Sequence, residues 1–135
     1  MDSFALHPRL VADTSFITDW TLSRLLLMND RRFPWLILVP RRDGLEEWTE
    51  LSAEDSAVLS AEIAKAGRGL AQMFQPTKLN VGALGNIVRQ MHVHVIARFA
   101  TDAAWSGPVW GQGTRIPYKD AERDRLCTDL LRRFN

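Results

Sequence analysis

Two histidines placed two residues apart, His92 and His94, are the side chains of this sequence best suited to chemistry. An imidazole ring can attack an electrophile, carry a proton or bind a metal near neutral pH. Both lie in "NIVRQMHVHVIARF" (86–99), whose alternating apolar residues are typical of a β-strand. Side chains alternate across a strand, so both histidines share one face with Gln90. Neighbours on that face are about 7 Å apart, so the two rings can address one small group such as a phosphate.

Two other interpretations of this histidine face are open. An uncovered face of an antiparallel sheet is often simply polar, although two of only three histidines in the chain lie together here. A metal site needs a third or fourth ligand. Residues 77–99 contain no Cys, Asp or Glu, and His7 is far away in the sequence. We therefore prefer a phosphate-directed site and predict no metal and no cofactor.

The elements that must position these histidines follow from periodicity. Apolar runs at 22–29 and 35–41, joined by a charged segment with a proline, predict a hairpin. Ser52 precedes apolar residues spaced by three and four, which predicts a helix over 52–74. The segment 77–81 predicts another strand before the histidine-bearing one.

An apolar stripe that starts after Asp120 predicts a C-terminal helix. Strands in succession, with one long helix inserted among them, predict an α+β fold with an antiparallel sheet of about five strands. The long helix would cover one face of the sheet, and we expect Val93 and Val95 to be buried against it. The face that carries the histidines is expected to have no comparable helix to cover it.

Length, charge and cysteine content limit the kind of protein. A chain of 135 residues is long enough for one domain spanning 1–135. Seventeen basic and sixteen acidic residues give a net charge of +1, which offers no general attraction to polymeric nucleic acid or to a membrane. Cys127 is the only cysteine, which excludes an intrachain disulfide. The sequence has neither a signal-peptide pattern nor an apolar run of membrane-spanning length. We therefore predict a cytoplasmic protein.

The segment "QMHVHVIAR" resembles the signature of the histidine triad (HIT) family, His-φ-His-φ-His-φ-φ, in which φ is apolar. The two apolar residues after the last histidine set the register, which places Gln90 at the first triad position, His92 at the middle one and His94 at the last. The resemblance extends upstream through "LMNDRRFPWLILVPR", the long helix and "LNVGALGN". Trp35 falls roughly where many family members have a further histidine.

The resemblance implies a nucleotidyl hydrolase or transferase. His92 would attack the α-phosphorus through Nε2, and water would hydrolyse the nucleotidyl-histidine intermediate. His94 would donate a proton or hydrogen bond to a phosphate oxygen or the leaving group. The backbone carbonyl of Gln90 would hold the proton on Nδ1 of His92, a contact that survives a side-chain change. The partner would be a small nucleotide conjugate: a dinucleoside polyphosphate, a nucleoside phosphoramidate or an aminoacyl-adenylate.

The resemblance also implies binding residues. Asn29 would contact the ribose, and three residues around the glycine-bearing turn would contact phosphate: Asn80, Gly85 and Asn86. The loop 104–111, which carries two tryptophans, would contact the leaving group or a second subunit, and we predict a homodimer. The departures at Gln90 and Trp35 leave a second hypothesis open, a domain that binds nucleotides without turning them over.

Overall fold

A computed structural model describes residues 4–134 as a five-stranded antiparallel sheet packed against helices, which confirms the α+β prediction. The strand order is β1-β2-β3-β5-β4, and every neighbouring pair is antiparallel. Among these residues, no helix has both the length and the apolar character needed to cross a membrane. The elements are α1 (Pro8–Asp13), β1 (Thr14–Asp19), β2 (Ser23–Met28), β3 (Trp35–Pro40), α2 (Ala53–Phe74), β4 (Lys78–Gly82), β5 (Val93–Arg98) and α3 (Asp120–Phe134).

The predicted hairpin is present as β2 and β3, in the centre of the sheet. Its two strands read as continuous apolar runs because both of their faces are covered, and all six residues of β3 are buried. Proline donates no backbone hydrogen bond, and Pro40 accordingly ends β3. The sequence did not predict β1 or α1. Strand β1 lies at the sheet edge, has only Ile17 buried and carries a bulge between Phe16 and Thr18, so it lacks a clear alternating pattern.

The two predicted helices cover one face of the sheet. The Ser52 side chain accepts a hydrogen bond from the backbone N–H of Asp55 (3.0 Å) and caps α2 as the sequence predicted. Helix α2 buries Leu59, Ala66 and Leu70, and ends at a left-handed residue just before Pro76. Helix α3 adds a second apolar stripe to the same core, with one residue fully buried and others partly so: Leu126, Leu130, Leu131 and Phe134.

The histidine-bearing strand is shorter than the sequence predicted. Strand β5 begins at Val93, and residues 83–92 form an irregular segment. The backbone explains this difference. Gly85 has a positive φ of 72°, and the N–H of Met91 bonds to the carbonyl of Leu45 (2.9 Å) outside the sheet. His92 and Gln90 therefore precede the strand, and only His94 belongs to it.

In the described part of the chain, the histidine face has no helix comparable to α2, as expected, but it is not exposed. A second apolar cluster lies on this face, built from the sheet, the α1 region and the loop after β5; its buried members include Leu10, Ile37, Ile96, Ala104 and Val109. His92 and His94 are only 7% and 5% exposed as a result. The opposite face, with Val95 and Ala97, packs against α2 as predicted.

A buried ion pair holds the loop that supplies this cover. The guanidinium of Arg98 donates two hydrogen bonds to Asp102, from Nε (2.8 Å) and Nη2 (3.0 Å), and both side chains are almost fully buried. Asp102 also accepts from the backbone N–H groups of Phe99 and Ala104. The bonds from Arg98 lower the pKa of Asp102 to about 2. The first turn after β5 is thereby fixed by charge-assisted hydrogen bonds.

Glu62 ties α2 to the turn between β1 and β2. Glu62 is 7% exposed, and its carboxylate accepts hydrogen bonds from the backbone N–H groups of Leu22 and Ser23, both at 3.0 Å. A buried N–H without a partner costs free energy. The carboxylate therefore satisfies two donors that the turn leaves outside the sheet.

We expect Glu62→Ala to lower the free energy of unfolding by about 2–3 kcal/mol, because two buried N–H groups lose their acceptor. Urea denaturation measures the change as a lower midpoint at an unchanged slope. Gln72→Ala, an exposed position on the same helix, is the control and should change the value by less than about 0.5 kcal/mol. Equal stabilities of the two variants would contradict the role of Glu62.

Candidate functional site

His92 has one ring nitrogen fixed by the main chain. Its Nδ1 lies 2.7 Å from the carbonyl oxygen of Gln90. A carbonyl oxygen can only accept, so Nδ1 carries the hydrogen and Nε2 keeps its lone pair. Burial lowers the pKa of His92, the Gln90 bond opposes that effect, and the nearby charge of His7 lowers the pKa further. The neutral ring with a free Nε2 is therefore the favoured form near neutral pH.

His94 has the opposite nitrogen fixed. The indole N–H of Trp35 donates to Nδ1 of His94 over 2.9 Å, with both side chains buried. An indole nitrogen can only donate, so Nδ1 of His94 is the acceptor and its hydrogen resides on Nε2. Burial, and next the charge of His92, lower the pKa of His94 to about 3. His94 is accordingly a neutral hydrogen-bond donor near pH 7.

The two rings form a complementary pair. Their centroids lie 4.9 Å apart at an angle of 64°. His92 keeps an electron pair on Nε2, whereas His94 keeps a hydrogen on Nε2. One ring is thus prepared to attack an electrophilic centre, and its neighbour is prepared to donate to an oxygen on that centre.

Both histidines line a cavity of about 380 Å³ between the sheet and the α1 region. Its wall is mainly apolar, with Leu10, Met28 and Ile37 among its members. An adjoining groove of about 670 Å³ contains three arginines and two aspartates. Six residues line both spaces: Arg9, Asp13, Met28, Leu84, Ile87 and Trp110. A bound molecule can therefore reach from the histidines into a charged groove.

The structure brings two of the four predicted nucleotide-binding residues to the histidines. Gly85 and Asn86 line the cavity with them. Asn29 and Asn80 do not line it. The Asn29 side chain accepts from the backbone N–H of Tyr118 (2.9 Å), and that of Asn80 accepts from Nη1 of Arg98 (2.8 Å). These side chains hold loops around the site, and their contacts with ribose and phosphate stay predictions.

The Gln90 side chain has a partner that sequence reasoning missed. Its Oε1 accepts from the backbone N–H of His7 (2.8 Å), and its Nε2 donates to the carbonyl of Ala5 (2.9 Å). The side chain thus binds the segment before α1, while the main chain of the same residue holds His92. His7 was set aside as distant in sequence, and no local pattern connects it with residue 90.

Two tryptophans also belong to the site. Trp35, interpreted from the sequence as a lost supporting histidine, instead gives His94 its hydrogen bond. Trp110 packs edge-on against His94, with ring centroids 5.3 Å apart. It fills the space beside Gly82, where a Cβ atom would lie 2.9 Å from the indole. Gly82 is the cross-strand partner of His94, so the indole occupies the gap left by the glycine.

Within residues 4–134, no group of three or more His, Cys, Asp or Glu side chains is arranged to hold a metal ion.

Comparisons with known proteins agree with this fold. The model of the HIT domain matches residues 9–101. The solved structure of a histidine triad protein from Sinorhizobium meliloti is 44% identical, covers 97% of both chains and superposes with a TM-score of 0.94. Histidine triad proteins from Bradyrhizobium japonicum and Marinobacter aquaeolei are each 41% identical over 98% of both chains, with TM-scores of 0.94 and 0.93. No curated protein matches significantly. The chain therefore belongs to the histidine triad family.

We expect the ring of His94 to populate both tautomers in Trp35→Phe. The substitution keeps an aromatic ring but removes the N–H donor, and one hydrogen bond corresponds to a shift of about five- to tenfold in the tautomer ratio. Nitrogen-15 NMR of the imidazoles measures that ratio. Trp48→Phe, at an exposed tryptophan, is the control and should leave the spectrum unchanged. A His94 signal that stays fully in the Nε2–H form in Trp35→Phe would contradict the assignment.

Proposed function

We propose that this protein is a nucleotidyl hydrolase or transferase that acts on small nucleoside phosphoryl conjugates. The observation that carries the proposal is the pairing of tautomers, a free Nε2 on His92 beside an Nε2–H on His94, in one cavity. Membership of the histidine triad family supports the same reaction class. The candidate conjugates are dinucleoside polyphosphates, nucleoside phosphoramidates and aminoacyl-adenylates.

The reaction has two steps in this proposal. Nε2 of His92 forms a bond to the α-phosphorus, and the bond from phosphorus to the leaving group breaks. The leaving group departs with the electron pair and takes up a proton from solvent. The His92 ring becomes positively charged in the intermediate, and the Gln90 carbonyl stabilises it through Nδ1–H. Water then attacks phosphorus and loses a proton to solvent, the N–P bond breaks with its electron pair returning to Nε2, and a nucleoside monophosphate leaves. No metal or cofactor takes part.

Around this centre, His94 donates from Nε2 to a phosphoryl oxygen in the transition state. We assign phosphate binding to the backbone at Gly85 and the amide of Asn86, since both line the cavity. Glycine allows the main chain to approach a ligand closely. The second hypothesis, nucleotide binding without turnover, is favoured by one observation: the side chain at the first triad position is already committed to Ala5 and His7.

We also propose that the chain is a single domain, 1–135, located in the cytoplasm, and that two copies associate. Of the two tryptophans in the loop 104–111, Trp110 packs against His94 within one chain, whereas Trp105 is 41% exposed. Exposed apolar side chains at Trp48 (66%) and Val81 (53%) now support the contact, since such surfaces often mark interfaces.

We expect His92→Ala to lower turnover by on the order of 10⁴ or more, because the attacking atom is lost. Nucleotide binding should persist, since it is spread over other residues. His94→Ala should cost less, about 10² to 10³, as for one lost charge-stabilising donor. The measurement is hydrolysis of the three conjugate types, with mass spectrometry for an acid-sensitive adduct on His92.

Three results would contradict this mechanism: an adduct on a residue other than His92, full turnover in His92→Ala, or wild-type protein that binds AMP but hydrolyses none of the conjugates. The last result would establish the hypothesis of binding without turnover.

Light scattering at micromolar concentration should give about twice the chain mass of 15.3 kDa if the protein is a homodimer. Val81→Lys places a charge on the exposed surface of β4 and should shift the mass toward one chain. A wild-type monomer that persists at high concentration would contradict the dimer.

A further inference from the structure

The side chain of Gln90 acts as a clamp on the segment before α1. It binds this segment through one donor and one acceptor, to Ala5 and His7. Ala5 lies 85 residues and His7 83 residues away from Gln90 in the sequence. The segment is also anchored by Phe4 and Leu6, which pack on the apolar cluster of the histidine face. Gln90 therefore joins the start of the described chain to the nucleophile.

The clamp determines where the ring of His7 lies. The backbone N–H of His7 is bound to Gln90 (2.8 Å), and its ring Nδ1 accepts from the backbone N–H of Arg9 (3.0 Å). The ring thus caps the first turn of α1 and carries its hydrogen on Nε2 when neutral. Its charge acts on His92, and it lowers the pKa of the nucleophile.

We propose that His7, held in place by the Gln90 side chain, is a positioning residue that adds to the effect of burial and favours the reactive neutral form of His92. The first triad position supplies no imidazole in this chain, and the segment before α1 brings one instead. This inference rests on the proposed role of His92 as nucleophile.

The other groups that face His92 do not duplicate this role. His94, on β5, stays uncharged because burial lowers its pKa to about 3. Arg9 and Asp13, on α1, line the same cavity. Arg9 does not contribute to the lowered pKa of His92, and Asp13 is paired with Arg115 (3.0 Å). Gln90 carries no charge. A positive charge on His7 disfavours a second positive charge on His92, because like charges repel at short range.

The charge of His7 also determines how the rate depends on pH. His7 lowers the pKa of His92, so removing the His7 imidazole raises that pKa. More of the nucleophile is then protonated, and inactive, at a given acidic pH. The acidic limb of the rate profile should move to higher pH.

Two variants distinguish the effect of the His7 charge from the effect of the Gln90 side-chain hydrogen bonds. His7→Asn removes the imidazole but keeps a good helix cap and the backbone N–H that binds Gln90. Gln90→Leu removes both clamp bonds at similar volume and keeps the main-chain carbonyl on His92. Lys78→Gln, an exposed residue at the far end of β4, removes a positive charge away from the site and is the control.

The test is an NMR titration of the three histidine rings in the wild type and the variants, which needs no turnover, together with the pH profile of kcat/KM. In His7→Asn and in Gln90→Leu, the titration of His92 should move to higher pH. The ratio of kcat/KM at pH 5.5 to that at pH 8 should fall about two- to threefold relative to the wild type. Lys78→Gln should leave both measurements unchanged.

A His92 titration that stays in place in His7→Asn, or that moves equally in Lys78→Gln, overturns the proposal. A shift in His7→Asn without one in Gln90→Leu overturns the part assigned to the clamp. If the wild type turns over no conjugate, the proposed function fails, and the NMR titration still decides whether His7 acts on His92.

Discussion

The buried ion pair between Arg98 and Asp102 is the contact on which the arrangement of the site depends. Arg98 ends the histidine-bearing strand, and Asp102 begins the loop that returns over the same face of the sheet. Each charge is balanced by the other and by further hydrogen bonds, including one to Asn80. Removing one partner of such a pair commonly costs about 3–5 kcal/mol, because the other is left buried and unpaired. The loop that carries Val109 and Trp110 is therefore held close to the two histidines.

Burial is what gives the two imidazoles their chemistry. Water is largely excluded from both rings, and the cost of a buried charge keeps them neutral. A neutral imidazole has two tautomers, and the site selects a different one for each ring. A main-chain acceptor selects the tautomer of His92, and an indole donor selects that of His94. The two rings have the same composition, but their neighbours give them different roles.

Much of this fold could be predicted from local patterns. The hairpin, the helix that starts after Ser52 and the C-terminal helix each have strong periodicity, and the motif around His92 set the register of the site. The rest depends on contacts between distant segments. No local signal indicates that residues 5–7 bind Gln90, or that the loop after β5 covers the histidines. Strand β5 starts late because Gly85 and Met91 turn the backbone away from the sheet, although the alternation of side chains continues.

The glycine at position 82 shows how the site limits the sequence of an edge strand. β-Branched and aromatic residues are favoured in β-strands, whereas a glycine in a strand weakens it. At Gly82 the space that a side chain would fill is occupied by Trp110, which contacts His94. Any redesign of β4 that raised its intrinsic stability at this position would displace the indole from the histidine. Selection for thermal stability and selection for an intact site therefore act in opposite directions at this one residue.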